Sequence, residues 1–432
     1  MKILRLIGTT LLMAVLCLNF TACGDDNEDE VKDDGGTILF ADDTRQPELF
    51  FSEKEETKEI KFTSTGSWHA FSEEDWITVT PTEGGAGENA ISIKVNSNNQ
   101  YGYRQGFVSI NASRQVAWIL IDQEGRECTQ NIEVAGTLDK LLGTHDIQSI
   151  QKLKLTGYLN GTDVATIRRM PLTEIDLSDV NIVGGGTYTV HYTGSIAGEY
   201  KGSTSDNVFP SCFFYNKTMI QSVVLPNTIT MIDDRAFAYC KTLSSIVIPD
   251  GVTKIGMEVF DNCKRLTSIT IPKSVTEIGS DAFSLCESIT SITIPNSVTK
   301  IGKGAFWGCT NLTSIIIPNS VIGIDKYAFG KCSGVTSIVI GNGIKRLPAY
   351  VFSECTNLSS VIIPANVETI ENAAFENCSA LKEIHVKSSI PPTVSNSAFS
   401  TYSHVVLYVP IGSKEAYQNH NIWGKFGTII EE

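Results

Sequence analysis

The chain has 432 residues, a formal net charge of −14, 42% hydrophobic residues and 19% charged residues. That length suits two or three domains, and the hydrophobic share is that of an ordinary soluble protein with a core. An acid excess without a basic stripe argues against a nucleic-acid partner.

The N-terminus reads as an address. Lys2 and Arg5 precede an apolar run from Leu6 to Phe20, closed by Thr21-Ala22-Cys23. A basic start, a short apolar run and small residues make a secretory signal over 1–22. The run is too short and too abruptly ended for a membrane span. Phe20-Thr21-Ala22-Cys23 resembles a bacterial lipobox, with Phe where Leu is usual. The resemblance implies that Cys23 is the lipidated first residue of the mature protein. Gly24-Asp25-Asp26-Asn27-Glu28-Asp29-Glu30 follows, and its like charges make 23–36 a solvated tether. This run is also similar to the acidic sequence that sends lipoproteins of Bacteroidetes-type bacteria to the outer face of the outer membrane. The expected location is the outer membrane, facing the exterior, with contact to the membrane through the lipid alone.

Residues 37–126 alternate with period two in Glu59–Thr63, Trp76–Thr80, Ala90–Val95, Gly106–Ile110 and Ala117–Ile121, with turn residues between. The pattern predicts an immunoglobulin-like β-sandwich. Ser67-Trp68, Asp75 to Val79, Gly84-Gly85, Asn96, Arg104-Gln105-Gly106 and Asp122 to Gly125 resemble the BACON family of Bacteroidetes surface proteins. That family implies carbohydrate binding or a spacer. Trp68, Trp76 and Trp118 could stack on sugars, Trp118 being the candidate contact. Their strand-like apolar setting favours the sandwich core for all three.

Residues 127–216 read as degenerate first coils and an N-terminal cap. Gly136 to Leu142 and Asp163 to Met170 predict short helices, Leu153 to Gly157 a strand. Leu172 to Ser178 has the spacing of the repeat that follows, so the solenoid is expected to begin near Gly136. Between Val183 and Asn207 lies an insertion with Tyr188, His191 and Tyr192. It is either a working loop, Tyr offering contact area at low entropy cost, or a hairpin with Tyr188, Val190 and Tyr192 packed inward.

Residues 217–387 repeat one sentence every 23 residues. Cys240, Cys263, Cys286, Cys309, Cys332, Cys355 and Cys378 mark it. Phe237 to Phe375 stand three residues before each Cys, and Leu, Ile or Val stand three, six and eight after. A period in the twenties means a solenoid. One copy buries about eight apolar side chains worth roughly 2 kcal/mol each, while ordering its backbone costs on the order of 1–2 kcal/mol per residue. A lone copy therefore does not fold, and stacked copies do. Leu-x-Ser-Ile-x-Ile-Pro-x-x-Val-x-x-Ile-Gly-x-x-Ala-Phe-x-x-Cys is similar to the Treponema-type, or BspA-like, leucine-rich repeat. That resemblance implies a surface lipoprotein of the adhesion class, binding host matrix proteins or other bacteria. Residues 388–432, with Ser413–Tyr417 and Trp423–Phe426, read as a helix and closing turn that form a C-terminal cap.

The fold expected overall is mainly β: a sandwich followed by a leucine-rich-repeat solenoid with short helical turns and terminal caps. Eleven cysteines in an exported chain suggest disulfides, but seven share one repeat position and stack as small buried side chains. Cys128 and Cys212 fall outside that register. No close Cys pair suits zinc, so neither metal nor cofactor is expected. The six histidines are scattered and no catalytic order or phosphate loop occurs, which argues against an enzyme. The outward strand positions form one column of Ser245, Ser268, Ser291, Ser314, Ser337 and Ser360, and another of Val247, Thr270, Thr293, Ile316, Val339 and Ile362. This uncharged ribbon is the candidate contact surface for a protein partner, with the sandwich as spacer. The alternative is a glycan-binding lipoprotein that captures polysaccharide or mucin through the BACON-like domain.

Overall fold

The computed structural model describes residues 36–40, 46–113, 115–143, 146–192 and 198–432. The signal segment, Cys23 and the acidic run lie outside the described residues. The chain divides into two compact units, one of residues up to 49 with 56–96 and 106–121, the other of 50–55, 97–105 and 122–432.

In the first unit, period-two sequences become antiparallel strands. Glu56–Ser64 pairs with Ile38–Phe40 on one side and with Gly87–Val95 on the other, and Ile77–Thr80 completes that sheet. Its inward residues Ile91, Ile93 and Val95 are fully buried. In a second sheet Trp68–Phe71 lies between Glu83–Gly84 and Arg104–Ala112, with Gln115–Gln123 beyond. Trp68 is buried edge-on to Phe62, ring centroids 5.0 Å apart. Its indole lies where a Cβ on residue 84 would stand, 2.5 Å away, so only Gly84 fits. Trp76 is buried too, but Trp118 is 39% exposed and does not enter the core. The inward positions of its strand belong to Ala117, Ile119 and Ile121, so Trp118 faces out by parity.

The parallel ladder of the second unit begins earlier than Gly136. Cys128–Ile132 pairs with Lys152–Leu159, which pairs with Glu174–Ile182, then Ser222–Val224 and Ser245–Val247. In this register Cys128 stands beside Leu153, Ile175, Val223 and Ile246, and it fills an inward strand position rather than the cysteine column. The two expected helices form as Leu138–Leu142 and Gly161–Ile167. The buried Asp163 carboxylate ties them together, accepting from the backbone N–H of Gly136 (2.6 Å), Leu138 (2.9 Å) and Asn160 (3.0 Å). Lys217 occupies the first position of the cysteine column and donates to the carbonyls of Arg168 and Met170 at the end of the second helix. A cation suits that end of a helix.

In the regular coils three columns run along the solenoid. Phe237, Phe260, Phe283, Phe306, Phe329, Phe352 and Phe375 stack face to face, with centroids 5.0–5.9 Å apart. Each thiol of the cysteine column donates to the carbonyl of the phenylalanine 26 residues back, from Cys240 to Phe214 (3.0 Å) through Cys378 to Phe352 (3.2 Å). The third column is conformational. Cys212, Arg235, Glu258, Asp281, Gly304, Tyr327, Tyr350 and Ala373 all have φ between 53° and 62°, as does the residue before each Cys apart from Tyr239 (64°) and Gly308 (73°). Cys212 is thus the first member of a left-handed column, whose other members share no chemistry.

The outward-facing ladder is not continuous. Ser245 meets Ser268 by a single bridge, the coils of Ser268 and Ser291 form no strand there, and pairing resumes from Ser314–Ile316 to Thr428–Glu431. A second ladder of two-residue strands runs unbroken from Val208–Phe209 to Gly323–Ile324, stops, and resumes at Arg346–Leu347. Beyond the last coil Tyr417 and Trp423 are fully buried, donating to the carbonyls of Ser388 (2.7 Å) and Pro392 (2.8 Å).

A left-handed backbone costs an L-residue roughly 1–2 kcal/mol and glycine nothing. Exposed Glu354, at φ 58°, tests this. Glu354→Gly should leave the midpoint of urea unfolding unchanged or raise it, whereas Glu354→Val should lower stability by about 2 kcal/mol.

Candidate binding face

Alternation on each strand settles which side chains reach solvent. Ile246, Ile315, Ile338 and Val361 point inward, and the serines and β-branched residues flanking them point out. Three outward rows cross six coils, from Ser244-Ser245-Val247 to Ser359-Ser360-Ile362. None of these eighteen residues is charged, although a 19% charged chain would place three or four charges among them (18 × 0.19 ≈ 3.4).

The rows differ in what they offer. In the first row, Thr267, Thr313, Thr336 and Ser359 donate their hydroxyls to the carbonyl one coil back, at 3.3 Å. The hydroxyls of Ser268, Ser291, Ser314 and Ser337 make no hydrogen bond to protein among the described residues, and all four are exposed. The last row is apolar: Val247 is 78% exposed, Ile316 61% and Val339 50%. Thr270 and Thr293 interrupt it, in the two coils that lack strand pairing. The row continues through His385 and Tyr408, whose rings stack 4.4 Å apart, to the exposed Ile430. Counting 23 onward from His385 lands on Tyr408, and counting 23 back from Val247 lands on Val224, so the period itself held the signal for these members. At the far end Glu432 pairs with His385 (3.0 Å) and Lys387 (2.5 Å), and these partners hold its carboxyl below the usual range.

The inserted segment is a hairpin, Gly185–Tyr192 against Gly198–Thr204. Tyr188 is buried and donates to the Ser211 carbonyl (2.5 Å), so it leaves the candidate surface. Burial pushes its phenol up. His191 is exposed, 3.7 Å from Glu199. Tyr192 is half-buried, its hydroxyl 3.4 Å from the Cys212 thiol and its ring beneath the Arg235 guanidinium. Arg235 forms a bidentate pair with Glu258 (2.8 and 2.9 Å), which raises its pKa. The inward packing of Tyr188 and Val190 therefore holds, and the hairpin's open side carries Thr187, Thr189 and His191.

In the first unit Trp118 packs edge-on to Phe107 (6.3 Å), and Val116 and Phe71 are exposed beside them on the same sheet. Phe71 sits opposite Ser109, which shares its face with Phe107. The sequence offered no signal for Phe71, whose strand is four residues long.

Burial pushes the Cys240, Cys309 and Cys378 thiols up to about 12, so they stay protonated and inert. Among the described residues no group of three or more His, Cys, Asp or Glu could hold a metal ion, and no helix is long and apolar enough to cross a membrane. Burial pushes Lys217 down to about 8. Burial, with Glu258 and Asp281 nearby, pushes Asp261 up to about 6.

The profile of the BspA type Leucine rich repeat region matches residues 207–333 and 276–406, and that of the Viral BACON domain matches 44–126. A leucine rich repeat protein of T. pallidum is 32% identical over 37% of this chain and 77% of its own, with a TM-score of 0.35. The chain belongs to the BspA-type leucine-rich repeat family. A leucine-rich repeat protein of Bacteroides ovatus is 21% identical over 56% of this BspA-type chain and 67% of its own (TM-score 0.39). A leucine rich cell surface protein of Faecalibacterium prausnitzii is 19% identical over 75% and 86% (TM-score 0.27). No curated protein matches the chain.

Asp261 gives a pH test. Its folded pKa lies above the unfolded value, so its contribution is fully present below about pH 4 and is lost as pH rises through 6. Asp261→Asn should raise stability at pH 7 by on the order of 2 kcal/mol and leave it unchanged at pH 4. Urea titrations at the two pH values measure the difference.

Proposed function

We propose that this chain is a non-enzymatic binding module displayed on the cell surface, anchored by lipid at Cys23. The solenoid takes a protein partner, a host matrix protein or another bacterial surface, and the sandwich holds it away from the membrane. The observation that supports this reading is the uncharged face. Its free serine hydroxyls beside the Ile316, Val339 and Ile362 row offer many shallow contacts at the ~4.8 Å spacing of adjacent strands. An extended partner segment can satisfy the hydroxyls and cover the methyl groups at once, and no charge must be desolvated.

The test is binding of the purified, unlipidated protein to immobilised collagen, fibronectin, laminin and whole bacterial cells. Ile316→Lys/Val339→Lys/Ile362→Lys should weaken capture at least about tenfold, a loss of roughly 1.4 kcal/mol or more. Wild-type binding should change little between low and high salt, since an uncharged contact is not screened. Capture that the triple variant retains, or that salt abolishes, moves the function off this face.

One observation favours a second reading. Trp118, Phe107, Phe71 and Val116 lie together on the open face of a sandwich sheet, and exposed aromatic faces suit the C–H groups of sugar rings. Under this reading the protein captures polysaccharide or mucin. Glycan-array signal should drop to background on Trp118→Ala while the unfolding midpoint stays put, and an array silent for the wild-type protein ends the idea.

A further inference from the structure

The hairpin that interrupts the repeats leaves one strand edge open. Its two strands form a sheet by themselves. The Gly185–Tyr192 strand lies against the Gly161–Ile167 helix so closely that a Cβ on residue 161 would stand 2.6 Å from the Gly186 backbone. The Gly198–Thr204 strand is the outer one. Among the described residues the backbone of 198–203 makes no hydrogen bond except to its hairpin neighbour. In an antiparallel ribbon, half of each strand's N–H and C=O groups point away from the partner, and a free edge templates another strand. Two of the usual protections are missing. The outer strand has no proline, and the hairpin's single irregularity lies on the other strand, at Gly186.

The charges on this edge complement a reversed copy of themselves. Glu199 and Lys201 flank Tyr200, and both are exposed. Lys201 has no ion-pair partner among the described residues, and Glu199 has only His191, 3.7 Å away. We propose that this strand pairs antiparallel with the same strand of a second copy of the chain, about a two-fold axis at Tyr200. Residue i then faces residue 400 − i. Glu199 of each copy stands opposite Lys201 of the other, twice, and Gly198 stands opposite Gly202. Opposite charges directly across a sheet stabilise the pair, and like charges oppose it. An axis at Lys201 would set lysine against lysine, and one at Glu199 would set glutamate against glutamate, so the pattern selects a single register. The chain carries a net charge of −14, and a contact whose local charges cancel adds no further repulsion between two copies. The two-fold arrangement closes on itself and stops at a dimer.

Sedimentation velocity on the unlipidated protein across a concentration series tests this. The expected result is a reversible monomer–dimer equilibrium. Glu199→Lys sets four lysines across the junction, and Lys201→Glu sets four glutamates. Each variant alone should associate at least tenfold more weakly than wild type while melting at the same temperature. An equimolar mixture of the two restores both cross-strand pairs and should recover the dimer as a heterodimer. Wild-type protein that stays monomeric to about 1 mM overturns the proposal. So do variants that dimerise as wild type does, or a mixture that remains monomeric. Dimerisation lost instead on Ile316→Lys/Val339→Lys/Ile362→Lys would also overturn it, by placing the contact on the solenoid face.

Discussion

A coil of this solenoid cannot satisfy itself. The carbonyl of each phenylalanine points toward the next coil, where a thiol donates to it, and each ring needs another ring about 5 Å away to cover its face. These needs repeat at every step, so the sequence must repeat at the same step. Cysteine suits its column because the site wants a small apolar side chain with a weak donor. Serine has the donor but prefers water, and alanine has no donor. The same burial that makes the thiols good packing groups removes their nucleophilicity, since the anion has no solvation there.

This dependence explains why much of the fold was readable from residues alone. Period, inward columns and outward rows follow from spacing, and Gly136 to Leu142 and Asp163 to Met170 already read as the short helices found at 138–142 and 161–167. What spacing could not reveal was conformation. The left-handed column holds Arg, Glu, Asp, Gly, Tyr and Ala at equivalent places, and no residue type betrays it. Cys212 falls outside the side-chain pattern because what it shares with its column is a backbone angle. Cys128 hid for another reason. Its coil precedes the regular spacing, and only strand register shows that it stands in line with Ile246.

The candidate surfaces were legible to different depths. Alternation alone located the serine and β-branched rows. It did not separate the hydroxyls that are already bonded to the preceding coil from those that are free, because that needs the geometry of two coils at once. In the sandwich the same alternation was outweighed by the general preference of tryptophan for cores, and Trp118 was expected inside. Its neighbours Ala117 and Ile119 held the correct parity. The hairpin residues divide along the same line, Tyr188 and Val190 inward and His191 outward. A one-residue offset in a strand thus decides between core and contact.

The two ladders of the solenoid break at different places. Where the outward-facing strands lapse, around Ser268 and Ser291, the second ladder runs through Lys254, Glu277 and Lys300 without a gap. Where the second lapses, between Ile324 and Arg346, the first joins Ser314–Ile316 to Ser337–Val339. The joints are staggered like those in a brick wall. No plane drawn between two coils of this stretch crosses both seams, so a crack opened in one sheet meets intact bonding in the other. For a protein held at one end and pulled at the other, such masonry favours failure of the array as a whole over the shedding of single coils.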